Sequence, residues 1–288
     1  LDEKKLSSMI VGREVVKTVD REAPRRGDLV LEVRNLSYVD DIGKIHVNDL
    51  TFAVHAGEVV GIAGIEGNGQ TELSEVITGL RPATKGDVMI NGQSIKGRNI
   101  DQIRKLGVAH ISEDRLVYGC APDLSVWDNI ASIYLSSKKF ARGPFLSKRE
   151  LNKFVDECIE EFEIATESRN TPVRLLSGGN IQKVIVAREF TSGANLIVAN
   201  QPTRGIDVGT ASLIHKLLYK YTREKNVAVL LISSDLNELL NHSDRLLVMR
   251  KGRFNAHFTD LSRVTDELLG EYMLGVRSMT EEEMGNVL

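Results

Sequence analysis

The fold of this chain is decided by one stretch of sequence, Leu176-Ser177-Gly178-Gly179-Asn180. Ser177 is one of the residue types that cap helix N-termini, and the two glycines leave the backbone N–H groups of the first turn uncovered. Such N–H groups, with the partial positive charge of a helix N-terminus, bind phosphate oxygens. The stretch therefore predicts a helix that begins at a phosphate-contacting turn. A capped helix with two glycines and no ligand is the alternative.

A second phosphate-binding pattern lies upstream in a glycine-rich loop, Gly64-Ile65-Glu66-Gly67-Asn68-Gly69-Gln70-Thr71. The loop follows a short apolar run and precedes a helical pattern, which is the context of a P-loop. Gln70 stands where such a loop has a Lys, so it offers a hydrogen bond without a charge. Because a charge-assisted hydrogen bond contributes roughly 1.5–3 kcal/mol and a neutral one roughly 0.5–1.5, we expect phosphate binding to be weakened, not abolished. A glycine-rich turn without a ligand is the alternative.

A short apolar run downstream ends in two amides, Leu196-Ile197-Val198-Ala199-Asn200-Gln201. In a working P-loop ATPase an Asp here orients Mg²⁺ and the adjacent Glu polarises the attacking water. Asn200 and Gln201 carry no charge, and the loss of a general base alone typically lowers a rate by about 10²–10⁴-fold. An ordinary strand end is the alternative, but Pro202-Thr203-Arg204-Gly205-Ile206-Asp207 directly after it argues against that interpretation.

Three other positions carry weaker signals. Ser234 follows an apolar run where a His would contact a terminal phosphate, but a helix cap before Leu236 is the favoured interpretation. Glu113-Asp114-Arg115 also follows a strand, and a surface ion pair is its favoured interpretation. Tyr38 is a candidate for stacking on an adenine, with an exposed aromatic at a strand end as the alternative.

The composition and charge of the chain exclude several classes of function. The 288 residues are 42% hydrophobic and 27% charged, which is typical of a globular protein. The formal net charge of -3 argues against a broad nucleic-acid interface, so we expect no nucleic-acid partner. No apolar run approaches the roughly 20 residues of a membrane span. The first residue is Leu1 and not Met, so we expect a piece cut from a longer polypeptide.

Strand-like and helix-like patterns alternate along most of the chain, which predicts an α/β fold with a mainly parallel sheet covered on both faces. A helical stretch from about 116 to 180 interrupts the alternation and indicates an inserted subdomain. The composition of residues 1–28 indicates a linker, and 256–288 are expected to form a C-terminal tail. The expected strands lie near 30–36, 50–54, 59–63, 108–111, 196–199 and 227–233, and the expected helices near 70–80, 126–130, 148–162, 177–187 and 208–225.

Taken together, these residues resemble the nucleotide-binding domain of ATP-binding cassette (ABC) transporters, over residues from about 29 to 255. The phosphate loop, the helical insertion, the signature at 176–180 and the strand ending in Asn200 occur in the family's order. The resemblance implies a P-loop NTPase fold, in which a RecA-like core carries an antiparallel β subdomain and an inserted α-helical signature subdomain.

The longer strings Leu176 to Lys183 and Gln201 to Gly209 narrow the resemblance to importers of simple sugars and nucleosides, whose ATPase subunit carries two such domains in tandem. Gly67-Asn68-Gly69-Gln70-Thr71-Glu72 and Ser112-Glu113-Asp114-Arg115 are similar to the second domain, and residues 7–15 resemble the segment that joins the two. The implied partners are the N-terminal ABC domain of the same subunit, membrane permease subunits and, indirectly, a substrate-binding protein. The implied location is peripheral, at the cytoplasmic face of the cell membrane.

In this family two domains meet head to tail, and each ATP lies between the phosphate loop of one and the signature of the other. By resemblance, Ser177, Gly178, Gly179 and Asn180 act on the partner's ATP, and Asp207 is the D-loop residue. The residues implied to hold the local nucleotide are Gly64, Glu66, Gly67, Asn68, Gly69, Gln70, Thr71, Glu72 and, against the adenine, Tyr38.

The implied cofactors are ATP and Mg²⁺, with Mg²⁺ weak or absent at the local site and Thr71 as a candidate contact. Glu113 replaces the family's usual Gln at the Q-loop. No catalytic residue is intact, because the positions of the Lys, Asp, Glu and His are degenerate: they are Gln70, Asn200, Gln201 and Ser234.

Three hypotheses follow. In the first, the chain is a degenerate ABC domain of an importer, which binds ATP, hydrolyses it weakly or not at all by itself, and supplies its signature to the partner domain. In the second, the fold is a non-transport binding or regulatory module gated by nucleotide. In the third, the chain is an active homodimeric ATPase, which conflicts with Asn200 and Gln201.

Overall fold

The described part of the chain begins with two strands of eleven residues each, which pair with each other in an antiparallel sheet. The structure is a computed structural model that describes residues 26–135, 140–142 and 145–285, so residues 7–15 and most of the expected linker 1–28 lie outside the described residues. The chain divides into two compact units. Among the described residues, we call 26–110, 194–201 and 218–285 the strand unit, and 111–135, 140–142, 145–193 and 202–217 the helical unit.

The strand unit contains two sheets. In the first, β1 pairs antiparallel with β2 and β4, and the strand order is β2-β1-β4-β5. Alternating apolar residues of β1, among them Leu31 and Val33, are fully buried, as expected for a strand with one face on a core. The strands of this sheet are β1 Leu29–Val39, β2 Ile45–His55, β4 Lys85–Ile90 and β5 Gln93–Ser94.

The second sheet has the order β12-β11-β3-β10-β9-β6. β10 runs parallel to β3 and β9, β11 runs parallel to β3, and β12 is the antiparallel edge. Every residue of β3, β9 and β10 is buried, which explains why these strands are continuous apolar runs. The strands are β3 Val59–Ala63, β6 Val108–Ile111, β9 Leu196–Asn200, β10 Ala228–Ile232, β11 Arg245–Arg250 and β12 Arg253–Phe258.

One hydrophobic core joins both sheets of the strand unit to the helix after β3. That helix, α1, ends at Ile77, earlier than the expected 80, because Gly79 takes a left-handed φ of 81°. The helices of this unit are α1 Gln70–Ile77, α2 Ile100–Lys105, the end of α6 Val208–Glu224, α7 Leu236–His242, α8 Asp266–Leu274 and α9 Glu281–Met284.

The helical unit is built on amphipathic helices around residues such as Leu151, Val155 and Phe162. Ser125 caps its helix with a full capping box. The spacing of Ser147-Lys148-Arg149-Glu150 predicts a second capping box, but this prediction is wrong, because the Ser147 side chain makes no cap hydrogen bond, although the helix forms. The elements are a π-helical turn Arg115–Gly119, α3 Val126–Ala131, the hairpin β7 Ala141–Arg142 and β8 Phe145–Leu146, α4 Lys148–Glu161, α5 Gly178–Thr191 and the start of α6.

A buried charge cluster in the strand unit holds the C-terminal segment. His257 is 6% exposed, and its Nδ1 lies 2.9 Å from the carbonyl oxygen of Met284. Its other ring nitrogen lies 3.5 Å from Nη1 of Arg245, which pairs with Glu58 at 3.0 Å. Burial, with the positive charges of Arg245 and Arg26, lowers the pKa of His257, although its hydrogen bond to Met284 opposes the shift. His257 is therefore neutral in the folded chain and donates from Nδ1.

We expect the free energy of unfolding to fall as the pH drops below about 6.5, where unfolded histidine takes up a proton that folded His257 refuses. The pKa of unfolded histidine, about 6.5, limits the loss between pH 7.5 and 5.5 to at most about 1.4 kcal/mol. Urea unfolding at both pH values measures it, and His257→Asn, which keeps a donor and does not titrate, should lose that much less. Equal losses in both proteins would contradict the assignment.

Candidate functional site

The glycine-rich loop joins β3 to α1 inside the strand unit. Gly67 and Gly69 have φ angles of 85° and 107°, a left-handed region that favours glycine. A Cβ at Gly67 would meet no atom within 4 Å, whereas one at Gly69 would collide with the carbonyl oxygen of His46. The loop is therefore open on the side of Gly67 and tightly packed at Gly69.

Gln70 is turned back into this loop. Its side chain is 7% exposed, and Nε2 donates to the carbonyl of Ile65 at 3.2 Å. Asn68 donates to the same carbonyl at 2.9 Å. A Cβ at Gly64 would collide with the Gln70 amide, so the amide lies directly over the start of the loop. The loop is thus held by neutral internal hydrogen bonds where a P-loop has a lysine.

The end of β9 places two amides in the same unit. Asn200 is 2% exposed, and its Nδ2 lies 3.3 Å from Oγ of Ser74 on α1. Gln201 Oε1 accepts from the backbone N–H of Ser234 at 3.1 Å and from its hydroxyl at 3.2 Å. The structure therefore joins Gln201 and Ser234, which are 33 residues apart in sequence. The favoured interpretation, a helix cap before Leu236, is confirmed: Asp235 caps α7 and accepts from the N–H groups of Asn237 and Glu238.

Tyr38 is 8% exposed, so the alternative of an exposed aromatic at a strand end is wrong. Arg81 lies over the ring at 5.4 Å and donates to its hydroxyl at 3.0 Å. The ring of His46 lies 5.9 Å away. A stacking role for Tyr38 against adenine stays a prediction.

Sequence reasoning missed a histidine bridge beside the loop. The Nδ1 of His46 lies 2.9 Å from Glu72 at the start of α1, and its Nε2 lies 2.8 Å from Asp40. No spacing signal could have found it, because the three residues come from a turn, a strand and a helix.

The signature begins α5 in the helical unit. Ser177 is the N-cap, as predicted, and its Oγ accepts from the backbone N–H of Asn180 at 3.4 Å. The Asn180 side chain donates to the same Oγ at 2.9 Å, and its Oδ1 accepts from the N–H of Ala165 at 2.9 Å. Asn180 therefore holds the cap in place, while Ser177 and Gly178 are exposed.

Asp207 lies against the second signature glycine within the same unit. A Cβ at Gly179 would lie 2.9 Å from Oδ2 of Asp207 and 3.0 Å from the hydroxyl of Thr210. Hydrogen bonds from the backbone and side chain of Thr210 lower the pKa of Asp207, so its carboxylate is charged at neutral pH. A side chain larger than glycine here would require Asp207 or Thr210 to shift, so the second signature glycine lies directly against Asp207.

Two further contacts in the helical unit reach the segment before Asp207. Gln182 is fully buried and donates from Nε2 to the carbonyl of Pro202 at 2.7 Å. Glu113 forms an ion pair with Arg204. The surface ion pair expected within Glu113-Asp114-Arg115 is therefore replaced by one to a residue 91 positions away, a partner that local sequence does not reveal.

The structure thus groups the predicted residues in two sets. The glycine loop, Tyr38, Asn200, Gln201 and Ser234 belong to the strand unit. Glu113, the signature and Asp207 belong to the helical unit.

The sequence of this chain is similar to those of several ATP-binding proteins of import systems. The chain is 38% identical to the guanosine import ATP-binding protein NupO of Bacillus subtilis, over 97% of this chain and 54% of that protein. It is 36% identical to the nucleoside import ATP-binding protein NupA of Lactococcus lactis, over 94% and 53% of the two chains. It is also 36% identical to the ribose import ATP-binding protein RbsA 1 of Rubrobacter xylanophilus, over 92% of this chain and 52% of that protein. The chain spans about half the length of these relatives.

Solved structures show the same fold. The ATP-binding cassette MJ0796 bound to ADP and phosphate matches with a TM-score of 0.71 at 23% identity, over 80% of this chain and 99% of that one. The predicted P-loop NTPase fold with its helical subdomain is confirmed. A sequence model described as ABC transporter matches residues 47–204, more than half of the chain. The chain belongs to the ABC transporter family.

Proposed function

We propose that this chain is the second nucleotide-binding domain of the ATPase subunit of an importer for simple sugars or nucleosides. Relatives that share 36–38% of its residues are named as guanosine, nucleoside and ribose import ATP-binding proteins, and each is about twice as long as this chain. The partners would be an N-terminal ABC domain, permease subunits and, indirectly, a substrate-binding protein. The domain would act at the cytoplasmic face of the membrane. None of the described helices is long and apolar enough to cross a bilayer.

We further propose that the local site holds ATP without cleaving it. The observation that carries this proposal is the bond between Gln201 and Ser234, because it joins the two side chains at the positions of the catalytic Glu and His. An amide cannot take a proton from water near neutral pH, and a serine cannot carry the positive charge of an imidazolium. The bond also engages Oε1 of Gln201 with the hydroxyl of Ser234.

The residues of the local site fit a triphosphate better than they fit Mg²⁺. The glycine loop supplies backbone N–H groups and an open side at Gly67, which suits phosphate oxygens. Mg²⁺ prefers carboxylate oxygens, but Asn200 is neutral and its Nδ2 lies against Ser74. Thr71 alone is a poor magnesium site, so no hydrolytic step is assigned to the local site.

The signature is proposed to serve the nucleotide of the partner domain. Its exposed Ser177 and Gly178 start a 14-residue helix, and Gly179 is fixed against Asp207. Exposed N–H groups at a rigid helix N-terminus stabilise phosphate charge without reorganising. This asymmetry makes the domain a donor of one half-site rather than an ATPase of its own.

Restoring the charged positions tests the local site. We expect the chain by itself to release phosphate from ATP very slowly. The fourfold variant should release phosphate about 10–100-fold faster, since one general base typically raises a rate by about 10²–10⁴-fold. Its substitutions are Gln70→Lys, Asn200→Asp, Gln201→Glu and Ser234→His. Phosphate release at saturating ATP measures both. The pair Gln93→Glu and Asn237→Asp makes the same amide-to-acid changes on the surface and should have no effect. Appreciable turnover by the unmodified chain would refute the proposal.

A further inference from the structure

One arginine beside the signature has an unusual environment. Arg115 begins the π-helical turn that follows Glu113, and its Nη1 lies 3.6 Å from the position of a Cβ at Gly178. Both residues belong to the helical unit. The guanidinium therefore lies next to the exposed glycine with which α5 begins.

This guanidinium has no acid to pair with. Within the part of the chain that the structure describes, the Arg115 guanidinium has no hydrogen-bond or ion-pair partner. The two neighbouring carboxylates are already engaged: Asp114 accepts from the N–H groups of Leu116 and Val117 at 3.1 and 3.0 Å, and Glu113 pairs with Arg204. Arg115 is partly buried, and this burial lowers its pKa because no carboxylate offsets it.

Three other arginines of the same unit have acid partners. Ion pairs join Arg169 to Asp156, Arg174 to Asp123 and Arg188 to Glu189. A partly buried cation without a counter-ion costs free energy, so its position calls for an anion that the isolated chain does not supply. The neighbouring helix start attracts the same kind of ligand.

We propose that Arg115 is a phosphate-binding residue of the signature half-site, where its guanidinium contacts the terminal phosphate of the ATP held by the partner domain. The inference rests on the proposed donation of the signature. Arg forms bidentate, charge-assisted hydrogen bonds with phosphate, which a neutral helix start cannot supply by itself. Because Arg204 pairs with Glu113, the Glu113 carboxylate does not pair with Arg115.

The test uses the full-length subunit and four variants: Arg115→Gln, Arg115→Lys, Arg174→Gln and Ser177→Arg. Arg174 is the matched control, since it is an exposed arginine of the same unit with its own acid partner. The measurements are the Kd of a non-hydrolysable ATP analogue, the kcat and KM for ATP, and the midpoint of thermal unfolding.

We expect Arg115→Gln to weaken analogue binding and lower kcat/KM by about 10–100-fold, the value of a charge-assisted hydrogen bond, with an unchanged unfolding midpoint. Arg115→Lys should recover part of the loss, and Arg174→Gln should match the parent.

The inference is overturned if Arg115→Gln binds and turns over ATP normally while Ser177→Arg is inactive, a result that leaves the proposed function standing. It is also overturned if the midpoint falls and Lys restores nothing, which indicates a structural role. Full activity of Ser177→Arg would refute the proposed function and the inference together.

Discussion

Replacing Ser177 with Arg in the full-length subunit is expected to lower ATP turnover by about 100-fold or more. The exposed hydroxyl of Ser177 caps α5 and accepts hydrogen bonds from Asn180. Arginine removes this cap, which costs about 1 kcal/mol, and places a long side chain in front of the N–H groups that are proposed to contact phosphate. The steric block and the lost donor geometry, rather than unfolding, should dominate the effect.

The control for this prediction is another exposed helix cap. Thr280 caps α9 with a complete capping box in the strand unit, far along the chain from the signature. Thr280→Arg should lose a similar amount of stability and keep full turnover. Phosphate release and the thermal midpoint, measured on both variants, separate the two causes. If Ser177→Arg keeps its turnover, the signature of this domain does not complete a catalytic site.

Replacing Gly69 with Ala should destabilise the chain far more than replacing Gly67. Both residues have a left-handed φ, which costs a non-glycine residue about 1–2 kcal/mol. Only at Gly69 would the new Cβ also collide with a backbone atom, the carbonyl oxygen of His46. We therefore expect Gly69→Ala to lower the free energy of unfolding by about 3 kcal/mol or more, and Gly67→Ala by about 1 kcal/mol.

Chemical unfolding of the two variants measures this difference. Gly69→Ala should also lose nucleotide binding, since the backbone must shift at the residue that caps α1. Gly67→Ala adds a methyl group on the open side of the loop and should weaken binding much less. Equal losses of stability would show that the contact with His46 is not rigid.

Sequence patterns predicted strands β1, β2, β3, β6, β9 and β10 and helices α1, α3, α4, α5 and α6, but they missed strands β4, β5, β11 and β12 of the strand unit. The run Val59–Ala63 reads as a buried strand because every side chain is apolar, and the structure buries all five. The end of α1 was misplaced because an apolar pattern continues to Leu80, while the left-handed Gly79 stops the helix. Ser147 has the spacing of a capping box, but spacing alone does not set the backbone angles that a cap needs.

The environments of the site residues were less predictable. An exposed aromatic was one of two interpretations of Tyr38, because nothing local shows that Arg81 covers its ring. Glu113 looked like the partner of an adjacent arginine, whereas Arg204 binds it. Side-chain partners of this kind depend on which segments the fold brings together.

The sequence by itself determined the family and predicted the phosphate loop and the signature, because backbone-binding motifs depend on glycine, a cap residue and their local spacing. It also determined that Gln70, Asn200 and Gln201 are neutral, since charge is a property of the residue type. Only the tertiary structure decided that Gln201 binds Ser234, that Gly179 abuts Asp207 and that Arg115 lies unpaired beside Gly178. These contacts join residues far apart in the chain, and packing, not local preference, sets such distances.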